Sequence, residues 1–289
     1  MDYCLSPLEH FQKINFLVPE GACDTHAHVV AEDIEQYPMV DTRSYTPRPA
    51  TEQDYFKMLK QTGMSRGVLV QISVYGTDNR YMLEVLSRHP DQLRGIAVVD
   101  ADISENELER MHQLGVRGLR INVLFGGGIG FAAMERLADK IKSFGWHMQF
   151  LMDAADIPEL MPRLQKLPVI GVVDHMGHTP VSSGLESPAM KGLTHLMEEH
   201  GWWVKLSGAY RIGDNFPNFM DVNQWARKLY QTAPEQCVWG SDWPHVALTQ
   251  MPDTGALLNQ LELWLPTEQD RKKVLVDNPQ KLYGFPAMT

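Results

Sequence analysis

Short apolar runs rich in β-branched residues recur along the chain, and stretches of mixed polar and apolar positions separate them. Eight of these runs predict strands over residues 23–29, 67–73, 93–100, 116–123, 146–153, 169–176, 202–210 and 237–244. The stretches 51–63 and 105–115 have the composition of amphipathic helices, with Thr51 as an N-cap and Gly63 as a stop. The segment 267–285 predicts one further helix, closed by the Asn278–Pro279 pair.

Eight strands that alternate with helices in a chain of 289 residues predict an α/β fold, a (β/α)₈ TIM-type barrel. The alternative is an open doubly wound sheet, which would carry a Gly-rich fingerprint after its first strand. The sequence "THAHVVAED" at that place has no such pattern. We therefore expect a single domain over residues 1–289, with the barrel core at about 22–285.

The composition and the net charge limit the classes of partner that the protein is expected to bind. The formal net charge of -10 argues against nucleic acid and anionic membranes, but it allows an anionic small molecule in a cleft lined by arginines. No apolar run approaches the ~20 residues that span a bilayer, and the N-terminal segment lacks the pattern of a signal peptide. Three scattered cysteines indicate reduced thiols and hence a cytoplasmic protein.

The active site of such a barrel is built at the C-terminal ends of its strands. The polar residues near these ends are His26, His28, Ser73, Arg120, Asn122, Asp153, Asp174, His175, Ser207, Tyr210, Arg211, Asp242 and His245. Because neighbouring residues of a strand face opposite sides, Asp174 is expected to face away from His175 and to have a structural role. A lone strand histidine is more often a hydrogen-bonded core residue than a ligand. Three histidines and an aspartate that converge at one mouth indicate a functional site.

These motifs also carry a family resemblance. The segments "CDTHAHVV", "GVRGLRIN", "VVDHMGH", "KLSGAYR", "WGSDWPH" and "NPQKLYGF" resemble the 2-pyrone-4,6-dicarboxylate lactonase group of the amidohydrolase superfamily, from about residue 22 to residue 285. The resemblance implies a (β/α)₈ barrel and a hydrolase that acts on small carboxylated lactones. Related members isomerise sugar lactones, which leaves a sugar-lactone isomerase as an alternative.

The resemblance also implies a site that works without a divalent metal, so no cofactor is expected. A mononuclear metal site of this superfamily takes a histidine from strand five. Here His147, the one histidine of that strand, lies at its beginning and therefore at the wrong end of the barrel. The alternative is one divalent ion such as Zn²⁺ on His26, His28 and Asp242, with His175 as a possible fourth ligand. A metal-dependent lactonase or decarboxylase is the function that such an ion would support.

Lactone hydrolysis requires an activated water, a polarised carbonyl and a proton for the leaving oxygen. We expect Asp242 to act as the general base, and His26, His28 and His175 to donate hydrogen bonds to the lactone carbonyl. Arg120 and Arg211 suit a substrate carboxylate because guanidinium groups bind carboxylates in bidentate fashion. The remaining expected substrate contacts are Tyr45, Ser73, His178 and His245.

The sequence differs at two places from the lactonase group that it resembles, and both differences affect the substrate that is expected. His178 stands where close relatives often carry an arginine, and the loop "FGGGIG" after Arg120 lacks a further cation. A lactone with one carboxylate, or a sugar-derived lactone, fits this lower cation count at least as well as a dicarboxylate. A barrel that binds a ligand without catalysis is the alternative from another functional class.

Overall fold

The computed structural model describes residues 2–287, and within them eight parallel strands form one sheet in the order of the sequence. The strands are β1 (Cys23–Ala27), β2 (Arg66–Val70), β3 (Leu93–Ala97), β4 (Val116–Asn122), β5 (His147–Leu151), β6 (Gly171–Val173), β7 (Trp203–Leu206) and β8 (Cys237–Trp239). Each of these strands lies within one of the eight predicted runs or begins one residue before it. The predicted (β/α)₈ barrel is confirmed.

The barrel closes between β8 and β1 through single hydrogen bonds and not through a regular ladder. The hydroxyl of Thr25 donates to the carbonyl of Trp239 over 2.8 Å. Beyond the strands, the N–H of Asp242 donates to the carbonyl of His26 and the N–H of His28 donates to that of Trp243, both over 2.8 Å. This closure places the histidine pair of β1 directly beside Asp242.

Helices surround the sheet. They are α1 (Glu52–Thr62), α2 (Arg80–Arg88), α3 (Glu105–Gln113), α4 (Met134–Ile141), α5 (Ile157–Leu164), α6 (Pro188–His200), α7 (Ala209–Ile212), α8 (Asn223–Thr232), α9 (Thr254–Asn259), α10 (Leu261–Trp264), α11 (Glu268–Lys272) and α12 (Asn278–Tyr283). In α1 the side chain of Thr51 forms a capping box with Asp54, and Gly63 ends the helix with a φ of 75°. In the part of the chain described, no helix combines the length and the apolar character that crossing a bilayer requires.

The C-terminal helix runs past the proline that was expected to close it. A π-helical segment, Lys273–Asp277, joins α11 to α12, and the helix then continues through Pro279 to Tyr283. Proline, which has no backbone N–H, is tolerated at the start of a helical segment. The side chain of Asn278 donates to the carbonyls of Pro234 and Cys237, which fixes this junction against the rest of the fold.

The two ends of the barrel interior differ in polarity. At the N-terminal end, Cys23, Val68 and Ile96 form an apolar cluster that Tyr283 and Phe285 complete. His147 belongs to this end, where its ring packs against that of Tyr283 with centroids 5.4 Å apart. Arg66 and Arg94 are buried at this end, over the ring of Phe285, whereas the C-terminal end holds the buried carboxylates and imidazoles, as expected for the end that carries the active site.

Candidate active site

Asp242 and His175 project into the barrel mouth from backbone in the left-handed region. Their φ angles are 60° and 49°, respectively. Such a conformation costs a residue other than glycine about 1–3 kcal/mol and is concentrated at functional sites. The hydrogen bond from the N–H of Asp242 to the carbonyl of His26 helps to hold this conformation. This backbone conformation places the carboxylate of Asp242 opposite the imidazole of His175.

Asp174 lies inside the barrel, so the prediction that it faces away from the site is wrong. Asp174 follows β6 in extended backbone, with φ −72° and ψ 148°, so it keeps the strand alternation and faces the same side as Val172. The left-handed turn at His175 directs that imidazole inward as well. Two successive residues therefore point toward the interior.

The carboxylate of Asp174 is the centre of a buried charge network. Nε and Nη2 of Arg120 donate to its Oδ2 at 3.1 and 3.0 Å, and Nε2 of Gln149 donates to the same oxygen at 3.0 Å. Nζ of Lys205 lies 3.6 Å from Oδ1. Burial raises the pKa of Asp174, but His26, Lys205 and Arg120 together lower it well below its usual range. The carboxylate is ionised at neutral pH.

Asp242 holds a second buried negative charge. Nε of Arg211 donates to its Oδ2 over 2.6 Å, and the hydroxyl of Tyr210 donates to the same oxygen over 2.7 Å. Burial raises the pKa of this carboxyl, but the Arg211 guanidinium and the nearby His175 outweigh burial and hold the pKa well below its ordinary value. A carboxylate that stays ionised in a buried site can act as a proton acceptor.

Three imidazoles face this carboxylate. Nε2 of His26 and Nε2 of His28 lie 3.6 and 3.5 Å from Oδ1 of Asp242, and Nε2 of His175 lies 3.7 Å from Oδ2. Ligand atoms of His26, His28 and Asp242 lie within 4.8 Å of one another, as do those of His26, Asp174 and His175. By distance alone, either group can hold a metal ion. Whether it fits one depends on which nitrogens carry protons.

The hydrogen-bond partners assign the protons on two of the rings. Nδ1 of His28 lies 2.7 Å from the carbonyl of Val70, which only accepts, so this nitrogen carries a proton. Nδ1 of His26 lies 3.2 Å from Nζ of Lys205, which donates, so a neutral His26 carries its proton on Nε2. Burial lowers the pKa of His26 to about 3, and the ring is neutral at pH 7. The two histidines of β1 therefore present different groups to the site.

This assignment changes the role expected for His28. A neutral ring with its proton on Nδ1 presents a lone pair at Nε2 and accepts there. The predicted donation from His28 to a lactone carbonyl stays a prediction, and it would require a proton on both nitrogens of this ring. His175 differs again, because its Nδ1 lies 2.9 Å from the hydroxyl of Ser207, which can donate or accept. Of the three rings, His26 and His175 are the ones able to donate from Nε2 while neutral.

Most of the predicted substrate contacts meet around one narrow cavity. The cavity is lined by His28, Tyr45, Ser73, Arg120, Phe125, Leu151, His175, Arg211, Asp242 and Val246. The hydroxyls of Tyr45 and Ser73 are hydrogen-bonded to each other over 2.9 Å. His26 lies beneath the cavity and is fully buried.

The glycine-rich loop after β4 packs tightly against the cavity wall. A Cβ on Gly126 would lie 2.1 Å from the carbonyl oxygen of Thr42, and a Cβ on Gly127, whose φ is 90°, would lie 2.2 Å from that of Ser73. The side chain of Asn122 accepts from two N–H groups at the start of this loop. The loop thus places Phe125 over the cavity, and the role of Asn122 is structural.

Two predicted contacts lie outside the cavity lining. His245 is enclosed by Tyr210, whose hydroxyl is 3.0 Å from Nδ1, and by Thr254, whose hydroxyl is 2.8 Å from Nε2. Its position supports Tyr210 and leaves no ring nitrogen for a substrate. The ring of His178 lies 6.3 Å from that of His175, and its buried Nε2 has no hydrogen-bond partner among residues 2–287.

Comparison with known proteins identifies the family. The amidohydrolase family model matches residues 23–285. The chain belongs to the amidohydrolase family. It is 34% identical to a 4-sulfomuconolactone hydrolase of Hydrogenophaga intermedia, over 97% of this chain and 94% of the relative. It is 35% identical to a 2-pyrone-4,6-dicarboxylate hydrolase of Comamonas testosteroni, over 94% of this chain and 92% of the relative.

A solved structure from Acinetobacter baumannii, described as a probable 2-pyrone-4,6-dicarboxylic acid hydrolase with citric acid bound, superposes with a TM-score of 0.82. It is 28% identical and covers 92% of this chain and 100% of its own. The predicted resemblance to the 2-pyrone-4,6-dicarboxylate lactonase group is confirmed.

Lys205 and Gln149 of this amidohydrolase were missed by sequence reasoning. Both side chains are fully buried in the barrel, where Nζ of Lys205 donates to Oε1 of Gln149 over 2.7 Å and to the carbonyl of Thr25 over 2.9 Å. Burial lowers the pKa of Lys205 to about 8, which leaves the amine protonated at neutral pH. A signal was present, because a lysine within the apolar strand "WWVKL" is unusual for a buried parallel strand.

Asp24 of the amidohydrolase joins the histidine pair to the loop that carries Asp242. Its Oδ1 accepts from the N–H groups of Ser241 and His26 at 2.7 and 3.2 Å, and its Oδ2 accepts from the hydroxyl of Ser241 at 2.7 Å. Burial raises the pKa of Asp24 to about 6 despite these hydrogen bonds. The side chain acts as a buried brace between β1 and the loop that follows β8.

Replacing this brace is expected to destabilise the amidohydrolase in a graded way. Asp24→Ala leaves two buried N–H groups without an acceptor and is expected to lower the free energy of unfolding by about 3 kcal/mol. Asp24→Asn keeps one accepting oxygen for those groups and removes a buried charge, so its loss is expected to be smaller. Urea unfolding of the two variants measures both values. An alanine variant as stable as the asparagine variant would disprove the bracing role.

Proposed function

We propose that this amidohydrolase hydrolyses the ester bond of a small carboxylated lactone, with Asp242 as the general base. The observation that carries the proposal is the Asp242 carboxylate itself. It is buried, ionised and held by Arg211 and Tyr210, with three imidazole Nε2 atoms within 3.5–3.7 Å of its oxygens. The two relatives named as lactone hydrolases support the same reaction class.

In the proposed reaction, Asp242 takes a proton from water as the water oxygen bonds to the lactone carbonyl carbon. Nε2 of His28, whose Nδ1 donates to the carbonyl of Val70, accepts a hydrogen bond from that water. His26 and His175 donate to the carbonyl oxygen as it becomes an oxyanion. Each such donor is worth about 3 kcal/mol in comparable sites. The ring C–O bond then breaks, and the leaving oxygen receives the proton from Asp242.

The two arginines favour a substrate with a carboxylate. Arg120 uses Nε and Nη2 on Asp174, while Arg211 uses Nε on Asp242 and Nη2 on the carbonyl of Val246. Within residues 2–287, the Nη1 atoms of both guanidinium groups make no hydrogen bond, and both side chains line the cavity. These two Nη1 atoms suit one substrate carboxylate. This agrees with the smaller number of cationic residues that the sequence has compared with the group it resembles.

No step of this reaction passes through a metal, and the proton positions support that choice. A metal at the histidine pair requires a lone pair at Nε2 of both rings. Nε2 of His28 meets this requirement, whereas Nε2 of His26 carries the proton because Lys205 donates to its Nδ1. The pair therefore does not fit the donor set of a metal site as it stands.

A panel of lactones tests the proposal. We expect acid release, followed in a pH-stat, from lactones that carry a carboxylate, and slower release from an uncharged lactone of the same ring size. Exhaustive chelation, checked by elemental analysis of the protein, is expected to leave the rate unchanged. A rate that falls on chelation and returns with zinc would establish the metal-dependent alternative. A rearranged lactone formed without acid release would establish an isomerase, and a panel that is bound but not turned over would establish a binding barrel.

A further inference from the structure

We propose that the Lys205 ammonium holds Nδ1 of His26 as a hydrogen-bond acceptor and thereby prevents the histidine pair of β1 from acting as a pair of metal ligands. Lys205 is thus a positioning residue that acts through His26. The inference adds to the proposed metal-free hydrolysis. Only the use of the Nε2 proton of His26 during turnover rests on that proposed function. It concerns the proton on one ring, which is measurable without any substrate.

The surroundings of Lys205 determine the direction of its three N–H bonds. Nζ lies 2.9 Å from the carbonyl of Thr25, 2.7 Å from Oε1 of Gln149 and 3.2 Å from Nδ1 of His26. The first two are acceptors, and an ammonium group has three donors and no lone pair, so its contact with Nδ1 is a hydrogen bond only if Nδ1 accepts. The side chain is fully buried, so solvent does not compete for these bonds.

A second possible partner for the same ring nitrogen stands beside it. Oδ1 of Asp174 lies 3.2 Å from Nδ1 of His26, yet within residues 2–287 this oxygen has no hydrogen-bond partner. If Asp174 accepted a hydrogen bond from an Nδ1–H group, the neutral ring would hold a lone pair at Nε2, directed at the site. That is the carboxylate–histidine arrangement typical of metal ligands. Lys205 and Asp174 therefore favour opposite tautomers of His26, and the hydrogen bond present is the one from Lys205.

The other end of the ring is compatible with this assignment. Nε2 of His26 is buried, has no hydrogen-bond partner among the residues described, and lies 3.6 Å from Oδ1 of Asp242, so an N–H there faces the ionised carboxylate favourably. Nε2 of His28 lies 3.5 Å from the same oxygen, so this contact alone does not distinguish the two rings. His28, two residues away, has the opposite arrangement because its Nδ1 donates to the carbonyl of Val70. One strand thus carries two histidines in opposite tautomers.

Nitrogen-15 NMR of the histidine-labelled protein tests the inference without a mutation. Two-bond ¹H–¹⁵N correlations distinguish a protonated from an unprotonated ring nitrogen, and His26→Gln and His28→Gln spectra assign the two signals. We expect the proton on Nε2 in His26 and on Nδ1 in His28. A proton on Nδ1 of His26 would overturn the inference, whatever the protein does with lactones.

Lys205→Met extends the test, because it removes the donor and keeps the length of the side chain. Asp174 is then expected to accept from Nδ1, the His26 signal is expected to change to the Nδ1–H form, and Co²⁺ is expected to bind about 10–100-fold more tightly. The visible spectrum of bound Co²⁺ and a calorimetric titration measure this gain.

Gln149→Met is the matched control, since it alters the same buried network and leaves the ammonium beside His26. Its His26 signal and its Co²⁺ affinity are expected to stay near those of the wild type. A Lys205→Met protein that is folded by circular dichroism but shows neither change would refute the inference. Should that variant not fold, the wild-type spectrum decides alone.

Discussion

Asp242→Asn is expected to lower kcat for lactone hydrolysis by about 10²–10⁴-fold, the range typical of a lost general base. The amide oxygen of asparagine can still accept from Arg211 and Tyr210, which both donate to Oδ2 in the wild type. The amide cannot take a proton from water. KM is therefore expected to change much less than kcat, and steady-state kinetics on a carboxylated lactone separates the two.

Asp153→Asn is a suitable control for this prediction. Asp153 also follows a strand end, but it caps the turn after β5, accepting from the N–H of Ala155 and from the hydroxyl of Thr179, and it does not line the cavity. Its kcat is expected to stay near that of the wild type. Near-normal turnover of Asp242→Asn and Asp242→Ala, with binding unchanged, would show that the base lies elsewhere.

Arg211→Met is expected to affect both substrate binding and the pH dependence. The guanidinium is a main reason that the pKa of Asp242 lies well below its usual value, against the burial that raises it. Without Arg211 that pKa rises, because a close opposite charge that favours the ionised form is lost. Because only the ionised carboxylate acts as a base, kcat/KM is lost below this pKa. The acid limb of the kcat/KM profile is therefore expected to move to higher pH.

Arg120→Met separates the two effects of the arginines. Arg120 lines the same cavity, but its ion pair is with Asp174 and not with Asp242. This variant is expected to raise KM for a carboxylated lactone and to leave the acid limb in place. An uncharged lactone of the same ring size should show little change in KM in either variant. Equal increases in KM for charged and uncharged lactones would disprove the carboxylate contact.

The confirmed parts of the sequence-based prediction depend on local patterns. Runs of β-branched residues and capping signals such as Thr51 with Gly63 determine where strands and helices form, and β/α alternation then determines the barrel. The pairing of His26 with His28 follows from the two-residue period of a strand. Barrel topology brings this pair beside Asp242, although 214 positions separate His28 from that residue.

Only the tertiary structure decided what each of these groups does. The prediction for Asp174 failed because the left-handed turn at His175 brings that imidazole inward beside an extended Asp174, and the alternation of residues does not encode such a turn. The proton on each histidine depends on its partner across the barrel, such as Lys205, which lies 179 positions from His26. The sequence alone determined the fold and the residues at its mouth. The folded barrel determined their charges, tautomers and orientations, because these follow from contacts between strands that are far apart in the chain.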